Sequence, residues 1–513
     1  MRPFDLSIPS HLTHAFLPDL LLMGGGMLLL LWAVWRPEGE AHARRIGWLS
    51  VGVCFVALAA VLWEWRMGFT ATNGAIAVDG FRWATDVVIL LGAIMTLIIS
   101  NDFNARMRLV AAEAHVLVLL AASGMMLLAA ARDLMVLFLG IELMSVAVYV
   151  LAGIDRRSGR GAEASLKYFL LGCFSSAFLL YGIALVYGAT GSTNLVTIGE
   201  RFATPAIAAQ PMMLIGLAML LVGFAFKVAA APFHMWTPDV YDGAPAPYSG
   251  LMACAVKSAS FAALLRVCLE AVGPGSERWH LALWWLAAAT MVVGNLFALQ
   301  QRNVKRMLSY SSIGHAGFLL VAVTAQTTEG AAAVLFYLVA YTLATLGAFA
   351  VVVAMNEGKD GPTDVGDYSG LWTVRPGLAM AMAVFMLALL GFPLVGGMGF
   401  FAKWYVLQAA LKAPAPQTKL SIILVLATVV SAGFYLYVVM VMFMRPRNEG
   451  AALPPVTSRP LKLVIAAAVA GILIFGVYPS PAVRLAQHAT ASSFAPAVSK
   501  VVAAPAGRPA ATP

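Results

Sequence analysis

The sequence predicts an all-α, polytopic membrane protein with about 14 transmembrane helices, in which two five-helix units with broken helices form an inverted repeat. Three observations lead there. Hydrophobic residues make up 61% of the 513 positions and charged residues only 11%, a balance that one soluble core could not bury. Apolar runs long enough to span about 30 Å of hydrocarbon recur along the chain. Two of those runs are interrupted by proline or glycine, and the interruptions recur in register.

The first four runs are Leu17–Trp35, Ile46–Trp65, Trp83–Ser100 and Leu109–Ala131. Leu134–Ile154, Ala164–Gly188, Met212–Trp236, Tyr248–Leu269 and Leu281–Leu299 follow. The last five are Met307–Ala325, Ala331–Met355, Leu378–Leu411, Leu420–Met444 and Leu463–Tyr478. Ala41-His42-Ala43 after the first run resembles a signal-peptide cleavage site. The region before the run has one arginine and one aspartate, and the run is long, so it reads as a retained helix. The implied units are an N-terminal three-helix segment (1–108), a first repeat (109–270), a second repeat (281–445), a C-terminal helix (461–485) and a tail (486–513). The tail is rich in Ala and Pro and reads as disordered.

A net charge of +9 would suggest nucleic acid in a soluble chain, but here the basic residues cluster in short loops, where they orient helices. Odd-numbered loops hold 17 of the 33 basic residues, while even loops and both ends hold 12. Odd loops are therefore expected on the cytoplasmic side. Cys54, Cys173, Cys254 and Cys268 all fall in apolar runs without a C-x-x-C pair and read as buried, inert thiols. The histidines are scattered too, so neither a metal nor a redox centre is expected in this chain.

The remaining four basic residues, Lys167, Lys227, Lys257 and Lys403, lie within spans, and no arginine is counted with them. Each charge at mid-bilayer costs roughly 2.5–3.5 kcal/mol. Lysine, unlike arginine, gives up its proton readily when desolvated, so such a set suits groups that must release one. Glu142, in FLGIELMSV, is the one carboxylate read near the middle of a span. Lys257 is similarly central, whereas Lys167 sits within a turn of its helix start, where it could snorkel. Each group could also be one half of a structural ion pair, but five of them are costly for a protein that could use leucine.

Pro232 follows Lys227 by five residues, and GFPLVGGMGF puts Pro393 and, after it, three glycines ahead of Lys403. Irregular backbone at membrane depth needs protein or a hydrated cavity around it. Glu142 and His315 are 173 positions apart, and Lys227 and Lys403 are 176 apart, which aligns spans four to eight with nine to thirteen. His315, in SSIGHAGFL, has the intrinsic chemistry of a proton carrier, or is simply hydrogen-bonded to a neighbouring helix.

The segment AFKVAAAPFHMWTPDVYDGAPAPYSGLMACAVKSASF resembles the antiporter-like subunits of respiratory complex I, the proton-translocating NADH-quinone oxidoreductase. The resemblance covers nearly all fourteen spans and is most specific between Phe224 and Phe261 and around Glu142 and Lys403. It implies a non-redox membrane subunit of a bacterial inner-membrane complex that moves protons while partner subunits carry NADH, FMN, iron-sulfur clusters and quinone. Sister antiporter-like subunits and small connecting subunits are the implied neighbours. It also implies proton-relay roles for Glu142, Lys167, Lys227, Lys257 and Lys403, and matches His234 to a histidine of the family that joins the relay, gates it or serves the structure. The rival readings are an independent cation/proton antiporter and a non-conducting scaffold of a hydrogenase-like complex.

Overall fold

The structure, a computed structural model, describes residues 2–3, 5–6, 8–36, 39–71, 74–273, 276–356, 364–393, 397–447 and 454–502. Lys359, one of the loop charges counted above, lies outside the described residues.

Among the described residues twelve helices have the length and hydropathy to cross a membrane. They are α1 (Leu17–Trp35), α2 (Glu40–Met67), α3 (Gly80–Met107), α4 (Ala112–Ala130), α5 (Leu134–Ala152), α6 (Gly159–Thr190), α9 (Ala246–Val272), α10 (Glu277–Leu299), α11 (Val304–Thr324), α12 (Thr328–Met355), α15 (Thr418–Met444) and α16 (Arg459–Val477). The other two expected runs are divided helices. One comprises α7 (Pro211–Lys227) and α8 (Trp236–Gly243), the other α13 (Pro376–Leu390) and α14 (Gly397–Lys412). A last helix, α17 (Ser480–Val502), follows α16.

Local chemistry sets the ends. Asp79, Asp133, Ser158, Ser276, Asn303 and Thr327 each accept a backbone N–H of the first turn they precede, satisfying a donor the helix itself cannot. At Gly391 φ is +79°, the left-handed conformation that closes α13 ahead of Lys403. In the other break Pro232 lacks the N–H that would continue the helix. Residues 394–396 of the GFPLVGGMGF stretch lie outside the described residues.

The helix ends separate into two sides. Backbone bridges join Ile76 to Ala131 and Asp133 to Asn194, all in even-numbered loops. Asn303 pairs with Asp364, and the Arg157 guanidinium donates to the Met107 carbonyl, all in odd-numbered loops. The alternation on which the charge count rests is thus built into the loop contacts.

α9 is wholly buried at the centre, with α11 and α12 nearly so, whereas α1 exposes most of its apolar surface. Two π-helical stretches, Met252–Val256 and Val267–Val272, flank the regular turns of α9 that begin at Lys257. Such bulges widen a helix locally and often mark functional positions. Small residues bring helices together: a Cβ added to Gly124 of α4 would stand 2.5 Å from the Met144 nitrogen of α5. Gly124→Leu is therefore expected to cost about 1–3 kcal/mol or more by overpacking, read as a lower yield of folded protein in membranes.

At the even side a charged network lies inside the protein. Arg266 donates to both carboxylate oxygens of Asp79 at 2.8 and 3.0 Å and pairs with Glu270 at 3.3 Å. Glu270 also binds Arg132 at 2.9 Å, and Arg82 pairs with Asp19 at 2.8 Å and Asp86 at 3.5 Å. Arg82 and Arg266 are both fully buried. This corrects the expectation that no arginine lies inside the spans: Arg266 is on α9 itself, and bidentate carboxylate pairing offsets its desolvation. Cys173 is also corrected, being exposed on α6, while Cys54, Cys254 and Cys268 are buried.

The expected tail begins as helix, since α17 continues through residue 502. Phe494 is buried, meets Phe81 edge to face at 4.9 Å and lies 5.7 Å from the Arg266 guanidinium. Packing against the charged network overrides a composition that by itself reads as disordered.

Candidate functional site

Lys227 ends α7, and its Nζ donates to the Ser145 hydroxyl at 2.6 Å and to the Tyr149 hydroxyl at 3.4 Å, both on α5. Glu142 is half-buried one turn before Ser145 and accepts from Ser176 of α6 at 2.5 Å. Glu142 and Lys227 thus share a neighbourhood without forming an ion pair within 4.0 Å. Each is held by hydroxyls instead.

Lys257 on α9 donates to the Ser312 carbonyl at 2.6 Å and to its hydroxyl, and faces the Tyr341 ring at 5.8 Å. One turn further along α11, His315 is bracketed by hydroxyls. Its Nδ1 is 2.6 Å from the Tyr337 hydroxyl and its Nε2 is 3.0 Å from that of Tyr435, which also bonds Ser311. Lys403 on α14 donates to the free Leu390 carbonyl at the end of α13, at 2.8 Å, and lies 4.6 Å from the Phe318 ring centre. His315, Tyr337, Tyr341 and Lys403 line one cavity of about 10 Å³, roughly the room a single water needs. The break in the twelfth span therefore supplies both a carbonyl for the lysine and a small void beside it, into which His315, Tyr337 and Tyr341 also face.

The structure thus brings Lys257, His315 and Lys403 together and sets Lys227 beside Glu142. Lys227, Lys257 and Lys403 are 4%, 1% and 6% exposed. None of the three has a carboxylate within ion-pairing distance among the described residues.

Two predicted members fall elsewhere. Lys167 is 42% exposed and ion-paired to Glu163 at 2.7 Å and Asp239 at 2.9 Å, with Arg306 on the same Asp239 at 3.3 Å. It joins an odd-side surface cluster rather than the buried row, and its placement near a helix start explains why. His234 lies half-buried in the α7–α8 break, and its Nδ1 has no partner among the described residues. No hydrogen bond joins His234 to the lysines among those residues.

Sequence reasoning missed the hydroxyls. Ser145 and Tyr149 stand three and seven positions after Glu142, the spacing of one helix face, and Ser311 and Ser312 precede His315 by four and three. That spacing was the available signal. It also missed Lys305, which is 3% exposed on α11 and donates to the Ala244 carbonyl at 2.8 Å, because an odd-side loop charge needs no burial to make sense. Ser145→Ala removes the nearest acceptor of Lys227 and frees its Nζ to reach toward Glu142. In the complex that the resemblance implies, the expected result is a displaced pH profile of quinone-linked proton pumping with NADH oxidation by ferricyanide unchanged.

Divided helices in two positions, with buried lysines beside the breaks, define the class of antiporter-like membrane subunits. The sequence profile described as NADH:quinone oxidoreductase/Mrp antiporter, TM, matches residues 131–434. The NADH-quinone oxidoreductase subunit N of Gemmatimonas aurantiaca is 53% identical over 498 residues, covering 95% of each chain. That of Trichlorobacter lovleyi is 42% identical, covering 93% of this chain and 96% of its own. A chain of respiratory complex I from Thermus thermophilus superposes with a TM-score of 0.78 at 36% identity, covering 92% of this chain and 99% of that one. A chain of the Mrp complex from Dietzia sp. DQ12-45-1b shares the fold, with a TM-score of 0.80 at 21% identity, covering 96% of this chain and 99% of that one. The chain belongs to the NADH:quinone oxidoreductase/Mrp antiporter family and, within it, to the subunit N group.

Proposed function

We propose that this chain is the proton-translocating, non-redox membrane subunit N of a bacterial inner-membrane NADH-quinone oxidoreductase, seated among sister antiporter-like subunits. NADH, FMN, iron-sulfur clusters and quinone belong to partner subunits in this reading, and both ends of the chain face outward. The observation that carries it is the row of three buried lysines held, among the described residues, by hydroxyls and carbonyls alone. A lysine kept for structure would sit against a carboxylate, as Arg266 does. In this separated arrangement no ion pair has to be broken for a lysine to release its proton.

In the proposed cycle Glu142 and Lys227 alternate between this separated arrangement and a contact ion pair, exchanging Ser176, Ser145 and Tyr149 for each other. Contact strengthens the hold of Lys227 on its proton, and separation weakens it. The proton then moves through water to Lys257, past His315 with its two tyrosines, and to Lys403. Lifting it against the membrane potential takes about 2.3 kcal/mol per 100 mV, which quinone reduction elsewhere in the complex must supply. Glu142→Ala tests the switch: pumping by the reconstituted complex is expected to fall while NADH oxidation by ferricyanide persists. Retained pumping removes the switch from the account.

A further inference from the structure

A second cavity, of about 100 Å³, lies between α12, α14 and α17 and is large enough to hold several waters. Its mouth carries Glu329, Lys412 and Gln487, all exposed, while Gln408 and Tyr405 are half-buried deeper in. Its floor is Phe336, 2% exposed, which meets Tyr405 edge to face at 5.6 Å. Glu329 is the second residue of α12 and Lys412 the last of α14, so both mark helix ends that run into even-numbered loops. α17, the third wall, leaves α16 on the same side.

The same two helices, α12 and α14, line the inner cavity that holds Lys403. Phe336 adjoins Tyr337 of that cavity, and Tyr405 is two residues beyond Lys403. From Lys403 to Lys412 the helix rises about 13 Å. The outer cavity therefore covers the stretch between the terminal lysine and the even side, on the other flank of the α12–α14 contact.

We propose that this outer cavity is the outlet of the proton path and that the Phe336–Tyr405 ring pair is the barrier separating it from Lys403. The inference rests on the relay reading and adds to it the exit and the residues that close it. On release the Nζ–H bond of Lys403 breaks, its electron pair stays on nitrogen, and the proton joins a water oxygen. Parting of the two rings admits that water, and their closure keeps protons from returning. Gln408 and the charged mouth keep the cavity wet, and α17 roofs it, which gives the C-terminal helix a part in conduction.

The test uses the whole complex in membranes, with a membrane-impermeant maleimide applied to either face. Gln408→Cys is expected to react from the outer face of spheroplasts and not from the cytoplasmic face of inverted vesicles, above the background of the native cysteines. Reaction from the cytoplasmic face, or from neither, overturns the outlet. Ala402→Cys, which lines the inner cavity, is expected to resist the reagent in the parent and to react from outside once Phe336→Ala is added. Phe336→Leu takes its place should Phe336→Ala not assemble. No gain in labelling, or wild-type protons per NADH in the opened variant, overturns the barrier. Failure of the relay itself reads differently: Lys227→Ala would pump normally while Gln408→Cys still reacted from outside.

Discussion

Lys227→Ala is expected to leave an assembled complex that oxidises NADH with ferricyanide at the parental rate yet pumps poorly. Ferricyanide takes electrons before the membrane arm is engaged, so its reduction reports folded partner subunits and not proton movement. In the structure Lys227 is 4% exposed and bound to two hydroxyls. Its removal takes away one proton-holding position without stranding a buried carboxylate, because Glu142 keeps its bond from Ser176. The loss should therefore fall on pumping rather than on stability. Lys227→Arg sharpens the point: arginine preserves the charge but does not give up its proton, so it is expected to pump as poorly as alanine. Proton uptake by reconstituted vesicles, compared with ferricyanide reduction by the same preparation, decides it.

Arg266→Ala is expected to act in the opposite sense, on assembly before activity. Arg266 is fully buried, donates to both oxygens of Asp79, pairs with Glu270 and also bonds the Ala129 carbonyl. Truncating one member of a buried ion pair costs about 3–5 kcal/mol, because the partner charge is left unpaired in a dry place. That is a large part of the roughly 5–15 kcal/mol by which a domain is stable. Here the carboxylate also caps α3, and the guanidinium lies beside Phe494 of α17. The expected result is loss of the intact complex from detergent extracts. Arg266→Lys should recover only part of it, since an ammonium cannot donate in the bidentate fork. Native gel analysis and thermal melting of extracted complex measure this directly.

Much of the frame was legible because membrane insertion writes itself into local composition. Twelve expected runs coincide with long helices, and both proline or glycine interruptions coincide with divided ones. Lys227, Lys257 and Lys403 stood out since a lone amine in an apolar run has no other explanation nearby. What stayed hidden depends on contacts distant in sequence. Tyr435 and Tyr337 are ordinary aromatic residues of apolar helices until folding brings both to His315. Arg266 lies three residues inside the end of the run Tyr248–Leu269 and is counted with the loop after it, although Asp79, 187 positions earlier, draws it inside. Lys167 reads as an intramembrane lysine because Asp239 comes to it from 72 positions away, while Glu163, one turn before it, was readable.

Protons move by way of the three buried lysines, and Lys257 tests this best because it lies at the centre of the fold, 1% exposed, with Ser312 its only hydrogen-bonded partner among the described residues. Lys257→Met keeps much of the side-chain volume and removes the amine. The decisive measurement is protons moved per NADH oxidised by the reconstituted complex carrying this substitution. A ratio below that of the parent, with ferricyanide reduction unchanged, is the result predicted here. A parental ratio would mean that protons cross without this lysine, and the relay would be contradicted.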